Sequence, residues 1–154
     1  MELGRVTDRK PPFKFSSFTR VGFSDTDAQG IVYYGRYLPY FDQARVEYAR
    51  HLGLLEREAG PEELVMRAST VVYEAPARFD DLLEVFVRTK RIGRTSLTSA
   101  FCAYRVDDDA LMCTAEQTLV LVSAAGRRPV PVPEDYRRAV AAFEGSDLET
   151  AVPA

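Results

Sequence analysis

The sequence predicts an α+β domain in which a five-stranded antiparallel sheet wraps around one long helix. Apolar residues recur every three or four positions over residues 37–52, as they do in an amphipathic helix. In four later segments apolar and polar residues alternate, which is typical of half-buried strands. A single helix buries its apolar stripe only if a sheet wraps it, so the order strand, helix, four strands predicts this layering.

Composition limits the possible functions. The chain has 154 residues, 46% of them hydrophobic, which suits one domain. Its net charge of −3 argues against a general nucleic-acid binder, and no apolar run approaches the ~18 residues of a membrane span. Cys102 and Cys113 are too few for a disulfide scaffold and are expected to be buried thiols of a cytoplasmic protein. Neither a zinc-ligand spacing nor a phosphate-binding glycine loop is present, so we expect no metal and no cofactor.

The first half of the chain supplies the arm, the first strand and the helix. Residues 1–16 mix charges and prolines without a period, which predicts a flexible N-terminal arm. Residues 18–24 alternate apolar and polar side chains and predict the first strand. Pro39 suits the first turn of the helix and Gly53 its end. The apolar face of the predicted helix consists of Tyr37, Phe41, Ala44, Tyr48 and Leu52.

The second half of the chain supplies the remaining strands. They are predicted at about 65–76, 81–92, 94–106 and 111–122, with short links that favour antiparallel pairing. A short helix is predicted over 134–143 and a flexible polar tail over 144–154, so that the domain spans 17–143. Several outward-facing strand positions are apolar, and we therefore expect a homo-oligomer, either a dimer or a dimer of dimers (a homotetramer).

The segment 25–37 carries the most informative chemistry. Asp25 and Asp27 lie in a loop directly before the helix. Free backbone N–H groups at a helix start can stabilise a developing oxyanion, and a carboxylate a few residues earlier can reach the same carbonyl. This pairing suits acyl transfer to water. The alternative is that both aspartates are ordinary loop and cap residues.

The run DTDAQGIVYYGRYLPYFDQAR resembles the signature of the hotdog-fold acyl-CoA thioesterases, in their 4-hydroxybenzoyl-CoA thioesterase-like branch. A second match lies at 72–82, similar to the family's Y-x-x-P-x-x-x-D-x-L pattern, and a weaker one at 93–97. Together they cover roughly residues 18–125. The first motif matches at Asp25, Asp27, Gly30, Val32, Tyr34 and Tyr37, whereas Gln29 stands where small residues are common in the family.

The resemblance implies hydrolysis of an acyl-CoA thioester with an aromatic or short/medium-chain acyl group. Asp27 would be the catalytic nucleophile or general base, and the main-chain N–H of Tyr34 would polarise the carbonyl. The active site would lie between two subunits, with coenzyme A present only as part of the substrate. Arginine suits the phosphates of coenzyme A, and hydroxyls suit its pantetheine. The expected substrate-binding residues are Gly30, Val32, Tyr33, Arg91, Arg94, Thr95 and Ser96.

Several alternatives stay open from the sequence. Asp25 is either a catalytic partner or a brace for the loop, and Glu47 on the helix is the second candidate for the catalytic acid. The arginines also fit an ordinary charged strand edge. Other functions are an acyl-carrier-protein thioesterase, a dehydratase or a non-enzymatic acyl-CoA binding module. A dehydratase would need a His near the helix start, whereas His51 falls in the last helical turn.

Overall fold

The computed structural model describes residues 3–58 and 62–150. Short 3₁₀ turns cover Phe23–Asp25, Tyr34–Arg36 and Gly145–Asp147. The helices and strands are, in chain order, β1 (Gly4–Lys10), β2 (Phe13–Arg20), α1 (Tyr37–His51), α2 (Leu55–Glu58), β3 (Glu62–Tyr73), β4 (Leu82–Ile92), β5 (Ser96–Arg105), β6 (Ala110–Ser123), α3 (Glu134–Glu144) and β7 (Glu149–Thr150).

The seven strands found in the described residues belong to one sheet, with α1 packed on one face. The strand order is β1-β2-β4-β5-β6-β3 with antiparallel neighbours, and β7 pairs parallel with β4. Phe41 of α1 is fully buried and stacks on Phe101 of β5 with ring centroids 4.9 Å apart. Leu83, Val85 and Val87 alternate along β4 and belong to the same core. The predicted α+β arrangement is confirmed, but the sheet has seven strands, not the predicted five.

The N-terminal segment differs from the flexible arm that the sequence predicts. Residues 4–10 form β1, which pairs with β2 and carries Arg5 and Arg9 across the outer face of the sheet. Both guanidinium groups form ion pairs with Glu84 of β4, a side chain that is almost fully buried. The strand lacks an apolar alternation because its long cationic side chains, rather than apolar ones, cover the sheet.

The C-terminal segment also departs from the prediction. The helix predicted at 134–143 is present as α3, but it continues to Glu144, which is 1% exposed. The Glu144 carboxylate accepts hydrogen bonds from the Tyr48 hydroxyl (2.7 Å) and the Thr89 N–H (2.9 Å). Burial raises the pKa of Glu144, against the effect of these hydrogen bonds. Of the predicted tail, residues 145–150 form a 3₁₀ turn and β7, whereas 151–154 lie outside the described residues. The α1 helix is therefore the longest but not the only helix.

Asp25 fastens the loop between β2 and α1 to its surroundings. Its carboxylate accepts hydrogen bonds from the Gly22 N–H (2.8 Å), the Tyr40 hydroxyl (2.8 Å) and Nε of Arg36 (3.0 Å). Its main-chain carbonyl accepts the N–H of Tyr33 at 2.9 Å. Burial acts to raise the pKa of Asp25, but these hydrogen bonds and the charge of Arg36 outweigh it, so the pKa lies below the ordinary value. Asp25 is thus the brace of the loop that follows β2.

Within residues 3–58 and 62–150, no helix combines the length and the apolar character needed to cross a lipid bilayer.

Truncation of Phe41 tests the core that positions α1. Phe41→Ala is expected to lower the free energy of unfolding by about 3–5 kcal/mol, because it leaves a cavity where the ring is fully buried. Urea denaturation measures the change. Phe23→Ala is the matched control, since Phe23 is 81% exposed and its loss should cost less than about 1 kcal/mol. Equal effects of the two substitutions would contradict the packing described here.

Replacement of Asp25 tests the brace through its pH dependence. Because the pKa of Asp25 is lowered in the folded protein, the ionised carboxylate stabilises the fold above pH ~4, and this stabilisation is lost as the pH falls through the folded-state pKa. Asp25→Asn is therefore expected to lower the free energy of unfolding at pH 7 by about 1–3 kcal/mol. The difference from the wild type should shrink below pH ~4.

The matched control for Asp25→Asn is Asp109→Asn in the β5–β6 hairpin. Asp109 is exposed, and its one ion pair with a described residue is with Lys10 at 2.6 Å, so its replacement should change stability by less than about 1 kcal/mol. Chemical denaturation at several pH values measures both variants. A pH-independent effect of Asp25→Asn would show that the ionised carboxylate is not the stabilising species.

Candidate active site

Asp27 begins a tight hairpin. Its carbonyl accepts the N–H of Gly30 at 2.9 Å, and its own N–H donates to the carbonyl of Ile31 at 2.9 Å. Gly30 closes this three-residue loop with φ +77°, a left-handed conformation that favours glycine. The Asp27 carboxylate accepts the N–H of Gln29 through Oδ1 at 2.8 Å. One carboxylate oxygen is therefore held by the turn. The other has no hydrogen-bond partner in the part of the chain that the structure describes.

The hairpin docks on the segment that follows β3. Thr26 pairs with Val32 across the hairpin, and Ile31 forms an isolated bridge with Arg78. The N–H of Val32 donates to the carbonyl of Ala77 at 2.8 Å, and Val32 itself is 5% exposed. These backbone contacts fix the position of Asp27 relative to both the sheet and the helix.

The start of the helix follows the hairpin directly. The N–H of Tyr33 is bound to the carbonyl of Asp25, and the N–H of Arg36 is bound to the carbonyl of Tyr33 at 2.8 Å. Between them, the N–H of Tyr34 has no hydrogen-bond partner among residues 3–58 and 62–150. The free donor lies at the first residue of the 3₁₀ turn that leads into α1. A free N–H at a helix start can hydrogen-bond an oxyanion.

Asp27 and Tyr34 line the same cleft, a cavity of about 370 Å³. The Tyr73 hydroxyl at the end of β3 donates to the carbonyl of Tyr34 at 2.9 Å and so ties the strand to the helix start. Burial raises the pKa of Tyr37 to about 12 and also raises the pKa of Tyr73, so both phenols are neutral at physiological pH. The lining consists of Asp27, Gln29, Ile31, Val32, Tyr34, Tyr37, Tyr73, Glu74, Ala75 and Pro76.

Two predicted substrate-binding residues lie beside the cleft and not in it. Gly30 shapes the Asp27 turn, and no side chain approaches the place where its Cβ would be. Tyr33 stacks on Tyr34 with ring centroids 4.2 Å apart and is 43% exposed. Of the predicted substrate-binding residues Gly30, Val32 and Tyr33, Val32 is the one that lines the cleft.

The other predicted substrate-binding residues lie at the opposite end of the sheet. Leu82 begins β4 near the hairpin, whereas Arg91 lies at the far end of that strand. Arg94 and Thr95 follow in the next turn, and Ser96 begins β5. About ten strand residues separate the two ends, which is roughly 30 Å. Within one chain, the structure does not bring Arg91, Arg94, Thr95 or Ser96 to the cleft.

The alternative catalytic groups also lie away from the cleft. Glu47 hydrogen-bonds to Arg50 and lies about 15 Å along α1 from Tyr37 at the helical rise per residue. His51 packs between Phe15 and Phe143, with ring centroids 5.4 and 5.6 Å away. Among the cleft-lining residues no imidazole is present, so the arrangement lacks the His that a dehydratase would use. In the described residues no group of three or more His, Cys, Asp or Glu side chains could hold a metal ion.

The role of residues 73–76 was missed when the sequence was read for catalytic groups. These four residues all line the cleft. The N–H groups of Glu74 and Ala75 donate to the carbonyl of Met112 at 2.8 and 3.1 Å and so hold the segment against β6. The signal was present in the second motif, at 72–82. The spacing of the 72–82 motif does not reveal that this segment contacts the hairpin. The contacts join Ile31 to Arg78 and Val32 to Ala77, which are far apart in the sequence.

The chain is similar in sequence to a protein family and to two acyl-CoA thioesterases of other organisms. Residues 21–140 match the Thioesterase-like superfamily. The acyl-CoA thioester hydrolase YbgC of Escherichia coli O6:H1 is 35% identical over 118 residues, which cover 75% of this chain and 87% of that protein. The acyl-CoA thioesterase YbgC of Haemophilus influenzae is 31% identical over 129 residues, which cover 81% of this chain and 93% of that protein.

A solved structure shares the arrangement of helices and strands. The 1,4-dihydroxy-2-naphthoyl-CoA thioesterase Slr0204 from Synechocystis superposes with a TM-score of 0.75 at 20% identity, over 82% of this chain and 94% of that one. The likeness supports the hotdog fold that the resemblance implied. Since the family match spans most of the chain and two relatives exceed 30% identity, the chain belongs to the Thioesterase-like superfamily.

Proposed function

We propose that this protein hydrolyses acyl-CoA thioesters to the free acid and coenzyme A. The observation that carries the proposal is the shared cleft, which is lined by Asp27, with its free carboxylate oxygen, and by Tyr34, whose N–H has no partner among the described residues. A carboxylate and an oxyanion donor are the two groups that acyl transfer to water requires. The acyl-CoA thioester hydrolase activity in the names of the 31–35% identical relatives agrees with this chemistry.

As a general base, Asp27 takes a proton from water through its unpartnered carboxylate oxygen. The resulting hydroxide forms a bond to the thioester carbonyl carbon, and the carbonyl oxygen becomes an oxyanion that accepts the N–H of Tyr34. Collapse of this intermediate breaks the C–S bond and expels the thiolate of coenzyme A, which takes up a proton. The Gln29 N–H meanwhile holds Oδ1 and keeps the carboxylate in place.

As a nucleophile, the same oxygen of Asp27 attacks the carbonyl carbon directly. The thiolate leaves, and a mixed anhydride between the acyl group and Asp27 remains until water hydrolyses it. The oxyanion donor at Tyr34 serves both routes. A single turnover in oxygen-18 water tests the anhydride route, since label recovered in the Asp27 carboxylate shows that water opened an anhydride at the Asp27 carbonyl carbon.

The cleft favours an aromatic or short/medium-chain acyl group. Tyr34, Tyr37 and Tyr73 present rings to a cavity of about 370 Å³, and rings pack well against planar or short apolar groups. This lining supports placing the chain in the 4-hydroxybenzoyl-CoA thioesterase-like branch. The same site would accept the phosphopantetheine thioester of an acyl carrier protein, because the thioester is shared.

The edge of the sheet supports a dimer with a shared active site. β3 is a 12-residue edge strand, and its Met66, Val72 and Tyr73 are each about half exposed. Long edge strands with apolar side chains pair readily with another strand. Antiparallel pairing of two β3 strands about a two-fold axis places the Glu62 end of one copy beside Tyr73 of the other.

Such a dimer would bring the distant substrate-binding residues to the cleft. Val120 of β6 pairs with Val65 of β3 and with Ser96 of β5, so Ser96 lies two strands from the edge at that end. The two-fold axis then places Ser96 and Arg94 of the partner subunit on the side of the cleft. Arginine and hydroxyl groups there would bind the phosphates and the pantetheine of coenzyme A.

A groove on the outer face of the sheet supports pairing of dimers into a tetramer. It encloses about 390 Å³ between the β1–β2 turn and the outer faces of β3, β5 and β6. Its walls are mostly apolar or small, as expected for a surface that another subunit covers. The lining includes Phe13, Thr70, Val72, Ala100, Cys102 and Thr114.

Replacement of the catalytic carboxylate tests the proposed function. Asp27→Asn is expected to lower kcat by at least ~100-fold, because the amide neither accepts a proton from water nor attacks the carbonyl effectively. Release of free thiol from a panel of acyl-CoA and acyl-carrier thioesters measures the activity. The fold should be retained, since the Asn carbonyl can still accept the Gln29 N–H.

The comparator for Asp27→Asn is Glu47→Gln, which removes the second candidate acid. Glu47 lies outside the cleft and should be dispensable for turnover. If Asp27→Asn stays fully active while Glu47→Gln is inactive, Glu47 is the catalytic acid. Absence of thiol release by the wild type from every thioester in the panel would refute the hydrolase.

Mixing two impaired variants tests the shared site. Asp27→Asn and Arg94→Ala homodimers should both be impaired, the second through a raised KM. A mixed dimer contains one site with both wild-type residues, so mixing with subunit exchange should restore up to about a quarter of the wild-type activity. The measurement is thiol release at subsaturating substrate, before and after exchange. Mixing without recovery, or a stable and active monomer in sedimentation, would contradict the interface.

A further inference from the structure

Glu74 places a second carboxylate in the cleft. It directly follows the last residue of β3, and its main-chain N–H is bound to the carbonyl of Met112 at 2.8 Å. Glu74 is among the residues that line the same cavity as Asp27, and the residue is exposed to solvent. No hydrogen bond or ion pair engages its carboxylate within residues 3–58 and 62–150. The main chain therefore fixes where Glu74 lies, and no described residue forms an ion pair that would neutralise its carboxylate.

Within one chain, the charged residues that line the cleft are all acidic. Asp27 and Glu74 are both among its lining residues, and none of the lining residues is Lys, Arg or His. The guanidinium group of Arg36, in the turn that starts at Tyr34, is bound to Asp25 at 3.0 Å. A negatively charged group that enters the cleft thus meets two carboxylates. In a partly enclosed cleft this repulsion is screened less than in bulk water.

We propose that Glu74 is a specificity-determining residue that selects acyl groups without a negative charge. This inference rests on the proposed thioester hydrolysis and names the substrate class of that site. Asp27 must be charged to act on the thioester, so its repulsion is common to all substrates of the site. Glu74 adds a repulsion that the chemistry does not need. The acyl group of a monocarboxylic thioester brings no charge to Glu74, whereas that of a dicarboxylic half-thioester brings a like charge into the cleft.

The test compares pairs of acyl-CoAs that have equal chain length and differ in charge. Butyryl-CoA is paired with succinyl-CoA, and pentanoyl-CoA with glutaryl-CoA. For each pair, the ratio of kcat/KM for the neutral substrate to kcat/KM for the anionic substrate is measured in the full-length protein. The wild type should prefer the neutral member. Glu74→Gln should lower this ratio by about three- to tenfold at low ionic strength.

Three controls separate charge from shape. Glu74→Asp keeps the charge and should keep a ratio close to that of the wild type. Asp8→Asn removes one negative charge from β1, an exposed position at the opposite edge of the sheet from β3, and should leave the ratio unchanged. Salt at about 0.5 M should narrow the difference between wild type and Glu74→Gln, since it screens a Coulomb effect but not a steric one.

The outcomes distinguish this inference from the proposed function. If the wild type hydrolyses neutral thioesters and Glu74→Gln has the wild-type ratio, the selection by Glu74 is refuted while the hydrolase stands. If the wild type releases no thiol from any thioester, the hydrolase is refuted. Binding of non-hydrolysable thioether analogues of the same acyl-CoAs then measures the ratio without turnover. An affinity ratio that is identical in wild type and Glu74→Gln would overturn the inference there as well.

Discussion

The hydrogen bonds of Asp25 hold the candidate active site in one arrangement. Residues 21–36 form a loop of short turns, and such loops are usually more mobile than the elements they connect. Asp25 joins Gly22 at the start of this loop to Arg36 and Tyr40 at its end. The hairpin that carries Asp27 lies between these points. The Asp27 carboxylate and the peptide dipole at Tyr34 therefore have fixed positions before a substrate arrives, and in the proposed mechanism transition-state stabilisation would cost little reorganisation.

The end of β3 connects three properties of the site. Tyr73 is bound to the helix start, Glu74 carries the second negative charge of the cleft, and the carbonyl of Ala77 accepts the Val32 N–H of the hairpin. Because β3 is also an edge strand, a second subunit that pairs along it would border the cleft directly. Substrate recognition, acyl selection and self-association would then depend on the same strand, and a change in one would affect the others.

Sequence reasoning located most periodic segments well, but the strand predicted at 18–24 was misplaced, since it spans Phe13–Arg20 and Phe23–Asp25 form a 3₁₀ turn. The amphipathic helix was expected at 37–52 and spans Tyr37–His51, and the strand expected at 81–92 spans Leu82–Ile92. β1 was missed because Arg5 and Arg9 take the place of apolar residues, their guanidinium groups lying over the rings of Phe18 (4.7 Å) and Phe86 (5.6 Å). β7 has two residues, too few for any periodicity. That Asp27 and Tyr34 line one cleft was predictable from their short separation along the chain. The position of Arg91 and Arg94 at the opposite end of the sheet follows from the strand pairing, which residue spacing does not reveal.

Glu74 contributes its backbone to the fold but not its side chain. The strand end is secured by the main-chain bonds of residues 74 and 75 to Met112, and these bonds are independent of what residue 74 carries beyond its Cβ. After a gene duplication, single-codon changes at this position would therefore alter which acyl groups a copy accepts and would leave Asp27 and Tyr34 in place. Divergence of paralogues could proceed there through intermediates that all stay folded and active.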